Sequence, residues 1–150
     1  MSGNPDDPLL LDRQICFLLY AASNLMTRQY RPLLQPLGLT YPQYLVMLVL
    51  WECGEAGMAE IGERLYLDSG TLTPLLKRLE AAGCVSRHRD PADERRLIIR
   101  LTEQGAQLKQ EAVSIPLALA AASNMTKTEI WSLRSALKQA VATLSAGLAG

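Results

Sequence analysis

Phenylalanine and histidine each occur once in this chain, tryptophan twice, and cysteine three times. A single histidine with no His/Asp/Glu cluster argues against a metal centre and against acid–base catalysis. Three cysteines form an odd set without metal-ligand spacing, which fits a reducing compartment better than a disulfide framework. No apolar run reaches the roughly 18 residues that span a bilayer. The acidic opening MSGNPDDPLL lacks the basic region of a signal peptide and reads as frayed, so a soluble cytoplasmic protein is expected.

Charge of one sign is also missing, since the formal net charge is zero. Its distribution is uneven. Residues 1–67 hold four Arg/Lys against seven Asp/Glu, whereas residues 68–100 hold seven against five. Local basicity is the electrostatic footprint of a nucleic-acid reader, and here it lies in one 33-residue stretch.

What is present is alanine, leucine and helical periodicity. Ile15, Leu18, Leu19, Ala22, Leu25, Met26 and Leu33 mark a first helix from Asp12 to about Leu34, closed by Pro32 and Pro36. Thr40 and Gln43 form a capping box that opens an all-round apolar helix, YLVMLVLWE, ended by Gly54 and Gly57. MAEIGERLYL is a short amphipathic helix, and a tight turn at Leu67–Ser69 leads into GTLTPLLKRLEAAG. There Leu72, Leu75, Leu76 and Leu79 make one stripe and Gly83 supplies the stop. Pro74 requires either a late start near Thr71 or a distorted first turn. VSRHR and RLIIRL are strand candidates joined by the polar loop DPADE. Thr102 caps a long helix interrupted by Pro116, and Thr126 with Glu129 caps a last one.

This order predicts a mainly α chain with a small β-hairpin, a single domain of residues 1–150. Its winged helix-turn-helix covers about 40–101, flanked by dimerisation helices at about 10–36 and 103–147. A homodimer is the economical partner for the outer helices, because a reader of two half-sites needs a two-fold axis. If the leucine stripe faces inward, Ser69, Thr71, Thr73, Lys77 and Arg78 face double-stranded DNA. Hydroxyls and long cations read base edges and phosphates. At the hairpin tip Asp93 is placed to orient Arg95 toward a minor groove, while Arg87, Arg89 and Arg96 add phosphate contacts.

The stretch AEIGERLYLDSGTLTPLLKRLEAAGCVSRHRDPADERRLIIRLTEQG resembles the winged helix of MarR-type repressors, including the Asp-x-Arg wing. DRQICFLLY, Tyr30-Arg31-Pro32 and LGLTYPQYLVMLVLWE narrow the resemblance to the organic-hydroperoxide-sensing, OhrR-like branch. It runs from about Leu10 to Ala112 and thins beyond Pro116.

On residues alone, a thiol such as Cys16 is more often a small core hydrophobe than a sensor. Its place near a helix start favours an anion, and Tyr20, four residues on, shares its face. Tyr30 lies fourteen residues beyond, about 21 Å along the axis, so the two cannot meet within one straight helix; a crossing of two antiparallel first helices would permit it. The resemblance implies that arrangement: Cys16 as the peroxidatic thiol, held by Tyr30 and Tyr41 of the partner subunit. Cys53 and Cys84 read as structural or incidental. Many OhrR-like repressors carry a second, resolving cysteine after the proline, but IPLALAAASNM has none, with Ala121 in its place. A one-cysteine mode follows, in which oxidised Cys16 is capped by a small-molecule thiol or oxidised further. No cofactor is implied. The rivals are a MarR-type repressor released by a phenolic or other small ligand, and a thiol peroxidase. The absence of a βαβ pattern tells against the latter.

Overall fold

The computed structural model describes residues 7–149, so the expectation of a frayed start falls largely outside the described residues. By its internal contacts the chain forms two compact units, Met1–Ile115 and Pro116–Gly150.

In the first unit a short 3-10 turn, Leu11–Arg13, precedes α1, Ile15–Leu34. Pro32 lies inside α1 and does not close it; a second 3-10 turn, Gln35–Leu37, and Gly38 at φ +68° end the segment. The expected capping box opens α2, Tyr41–Cys53: Gln43 N–H donates to Thr40 Oγ1, and Thr40 N–H donates to Gln43 Oε1 at 2.9 Å. This helix is the centre of the core. Tyr44, Val46, Met47, Val49, Leu50 and Trp51 are buried, joined by Ile61, Leu72, Leu76, Leu79, Val85 and Ile99 from later elements. Gly54 stops α2 at φ +77°, a conformation that suits a residue without a Cβ.

Gly57, expected to help end α2, lies instead in a strand the sequence reading does not contain. β1 (Glu55–Gly57) pairs antiparallel with β3 (Leu97–Leu101), which pairs on its other side with β2 (Val85–Arg89). The wing is therefore a three-stranded sheet of order β1-β3-β2. Three residues are too few for a period-2 pattern to register.

Between β1 and β2 come α3 (Met58–Leu65) and α4 (Ser69–Ala81). All four leucines of the α4 stripe are buried, each stabilising by roughly 2 kcal/mol. The end of α4 is a Schellman closure: Gly83 N–H donates to Glu80 O, and Cys84 N–H donates to Leu79 O. Pro74 does not delay the helix to Thr71. Asp68 caps the helix by accepting from Thr71 N–H at 2.7 Å, so α4 starts at Ser69 and runs through the proline.

Thr102 caps α5 (Glu103–Ala112) by accepting from Gly105 N–H. α5 is tied to α2 by Trp51 Nε1–H donating to Gly105 O and by Lys109 Nζ donating to Trp51 O, both 2.9 Å. The expected break occurs at Val113 and Ser114, with Pro116 already inside α6 (Ile115–Ala122). In the second unit α7 (Lys127–Leu148) opens on the Thr126–Glu129 capping box. No single helix among the described residues is long and apolar enough to cross a membrane.

Candidate DNA interface and thiol site

With its leucines inward, α4 turns its remaining surface to solvent. Ser69, Thr71, Lys77 and Arg78 are exposed and Thr73 is half-buried. This is the face that the spacing predicts.

The wing loop is held by its own backbone: Asp90 N–H donates to Arg96 O at 3.0 Å and Arg96 N–H to Asp93 O at 2.9 Å. Asp93 Oδ1 accepts from the backbone N–H and the Nε–H of Arg95, both at 3.1 Å, and Oδ2 accepts from Nη2 at 3.4 Å. These bonds hold the Asp93 carboxyl below its usual range. The Arg95 side chain is 91% exposed, so its guanidinium is oriented yet reaches into solvent. That is the geometry a groove-inserted arginine needs.

The other wing cations are placed less simply than the sequence suggests. Arg87 is half-buried, with Nη2 donating to Glu80 at 2.8 Å, and this pair ties β2 to α4. The bond holds the Glu80 carboxyl below its usual range. Arg96 lies 3.4 Å from Asp90, its Nη2 turned toward Gly57 of β1. Arg89 Nη1 donates to Glu94 O at 3.4 Å, and His88 Nε2 shares a 2.8 Å bond with Ser86 Oγ. Arg87 and Arg96 are thus engaged by carboxylates of their own chain. Sequence offers no sign of this, because Glu80 and Asp90 are brought near by folding.

The three thiols occupy different environments. Cys84 is buried, which raises its pKa. Cys53 is exposed but donates its S–H to Val49 O at 3.1 Å. Cys16 is exposed at the second position of α1 and, among the described residues, has no hydrogen-bond partner. The N-cap residue Gln14 provides no side-chain cap; its amide donates instead to Pro8 O and Leu10 O. The first N–H groups of α1 are therefore open toward an anion at Cys16. Tyr20 is exposed on the same helix, with no hydrogen bond to the sulfur among the described residues. Around the thiol, Ile15, Leu18, Leu19 and Leu25 are exposed as well.

Tyr30 sits near the far end of the same unbroken helix, so the separation of about 21 Å from Cys16 holds within one chain. It packs on Tyr41 at 4.6 Å between ring centroids and on Tyr44 at 5.7 Å. Burial, then the neighbouring phenols Tyr41 and Tyr44, push the Tyr30 hydroxyl up to about 12. Tyr44 is the member that sequence reasoning missed. Its i,i+3 spacing from Tyr41 on α2 was the available signal.

Helix, turn, helix and wing in this order, with α4 open along one side, make this a winged-helix DNA-binding fold. Residues 28–112 match the family model of the SarA/Rot transcriptional regulators. The chain is 50% identical over 141 residues to the organic hydroperoxide resistance transcriptional regulator of Bacillus subtilis, covering 94% of this chain and 96% of that one. It is similar to reduced AbfR bound to DNA, from Staphylococcus epidermidis, at 38% identity and TM-score 0.77, covering 92% and 94% of the two chains. A disulfide form of AbfR gives 37% and 0.60, with 93% of each chain covered. A cysteine-to-serine mutant of MarR from E. coli gives 27% and 0.67, covering 85% and 96%. The chain belongs to the MarR-type winged-helix transcriptional regulators, in the organic-hydroperoxide-sensing, OhrR-like branch.

Proposed function

We infer that this protein is a homodimeric repressor that binds operator DNA when reduced and releases it when an organic hydroperoxide oxidises Cys16. The observation that carries the reading is the contrast among the thiols. Cys16 alone is both exposed and without a partner among the described residues, and it lies at an open helix N-terminus. Support comes from the 50% identity to a regulator of organic hydroperoxide resistance and from the likeness to a regulator solved on DNA.

The chemistry is self-contained. The Cys16 thiolate attacks one peroxide oxygen, the O–O bond breaks, and the alcohol leaves after taking a proton. Sulfur keeps the oxygen it attacked, with its hydrogen, as a sulfenic acid. A small-molecule thiol then displaces that oxygen as water and leaves a mixed disulfide on Cys16. No cofactor or metal enters, and the protein is a stoichiometric sensor, not an enzyme.

Apolar side chains around Cys16 on α1, and Trp131, Leu137, Val141 and Leu144 on α7, are exposed in the single chain. Exposed apolar area of this kind suits a dimer interface. In this reading the helices at about 10–36 and 103–147 form it, and the winged helix at about 40–101 meets the DNA. Antiparallel first helices would set Tyr30 and Tyr41 of one subunit beside Cys16 of the other. A new polar oxygen there alters dimer packing and moves the two α4 helices relative to one another. The site of action is the cytoplasm, where operator DNA lies.

A gel shift on the upstream DNA of its own gene tests this. A retained complex should disappear with organic hydroperoxide and return with excess dithiol. Release by a phenolic ligand, with no change in thiol mass and no response to peroxide, would select the ligand-released alternative.

A further inference from the structure

Tyr66 forms the corner between α3 and α4 in a backbone conformation that its side chain disfavours. It is the C-cap of α3 at φ +55°, ψ +39°, where a Cβ crowds the following carbonyl and glycine or asparagine fits more easily. The bend itself has a clear cause. Leu67 N–H must reach back to Gly62 O at 2.9 Å, and a Cβ on Gly62 would lie 2.8 Å from Leu67 O. The corner is tight, and that accounts for the conformation but not for a tyrosine.

Among the described residues no aromatic contact engages the ring. Leu65 and Leu67 on either side pack against the core, whereas Tyr66 is 68% exposed. Among the described residues its hydroxyl has no hydrogen-bond partner. A tyrosine held where glycine or asparagine would sit with less strain points to a use for its side chain. Tyr66 stands two residues ahead of Asp68, the cap of α4, beside exposed Ser69 and Thr71. In a helix-turn-helix the start of the second helix enters the major groove while the first crosses the backbone. The corner between them therefore passes a phosphate strand.

We propose that Tyr66 donates a hydrogen bond from its hydroxyl to a DNA phosphate at the groove edge and so fixes how α4 is seated. This rests on the DNA-binding reading above. A phenol donor suits a phosphate acceptor, carries no charge, and reads no sequence.

The test compares the parent, Tyr66→Phe, Tyr66→Asn and Arg95→Ala by fluorescence anisotropy. Each is titrated on the upstream duplex and on a scrambled duplex across a salt series, with thermal melting alongside. Tyr66→Phe should melt with the parent and bind both duplexes about tenfold more weakly. Its salt slope should be unchanged, because a neutral donor displaces no counterion, whereas Arg95→Ala should reduce the slope by about one. Tyr66→Asn should melt at or above the parent, since asparagine tolerates this φ, yet bind as weakly as Tyr66→Phe. Parent-like binding by Tyr66→Phe beside a weakened Arg95→Ala overturns the assignment and leaves DNA binding standing. A loss confined to the upstream duplex makes the contact a base contact, and a lowered melt makes the residue structural; either result also overturns it. A parent that binds neither duplex removes the underlying reading.

Discussion

In the proposed wing contact, Arg95 depends on Asp93 for its orientation. Three donor contacts from Arg95 end on that one carboxylate, yet the arginine side chain remains 91% exposed. Arg95→Ala should weaken operator binding at least about fivefold in a gel shift and leave the dimer intact on gel filtration. Unchanged affinity would remove the wing from the interface. Tyr30 makes a different kind of prediction. Its pKa is raised to about 12 from 10.0, so the phenol stays protonated well into the alkaline range. A raised folded-state value means the contribution to stability is whole below pH 10 and is lost as pH climbs toward 12. Tyr30→Phe should flatten that alkaline limb in a melt series. It should also slow peroxide oxidation of Cys16, or blunt its release of DNA, while reduced-state operator affinity stays near the parent value. Oxidation and release both identical to the parent would argue against a tyrosine acting across the dimer.

Among the elements, those with local start and stop signals were legible. Thr40, Thr102 and Thr126 announce α2, α5 and α7 because a capping hydroxyl and the backbone N–H that donates to it lie three residues apart. Gly83 announces the end of α4 in the same local way. Thr40→Ala should therefore cost about 1 kcal/mol in denaturant unfolding. β1 was illegible since its only signal is pairing with β3, more than forty residues away. The ion pairs that engage Arg87 and Arg96 were hidden for another reason: their partners Glu80 and Asp90 are close in sequence, but a turn between each pair brings them together, and no periodic pattern marks that. So was the value of Gly105, which reads as an ordinary helix residue. A Cβ there would collide with the Cys84 carbonyl, the point where α5 crosses the start of β2. Gly105→Ala should lower stability by at least about 2 kcal/mol, measured by urea unfolding. A parent-like midpoint would mean that this crossing is loose.

At the scale of the whole molecule, zero net charge conceals a basic wing and recognition helix, so operator affinity should fall steeply with salt despite the balanced composition. The cysteine inventory sets the fate of the oxidised form. No cysteine follows residue 84, and Cys84 is buried, so the C-terminal helices offer no resolving thiol. Peroxide alone should give a monomer band on non-reducing gels, and added small thiol a mixed disulfide of one thiol per subunit. A covalent dimer through Cys16 would contradict the one-cysteine mode. The central claim, that oxidation of Cys16 alone releases the operator, is tested most directly by anisotropy of a labelled operator during an organic-hydroperoxide titration. The parent and a Cys53→Ser, Cys84→Ser double variant should both release the DNA and rebind it after dithiol, while Cys16→Ser stays bound throughout. Release of DNA from Cys16→Ser by the same peroxide would contradict the account.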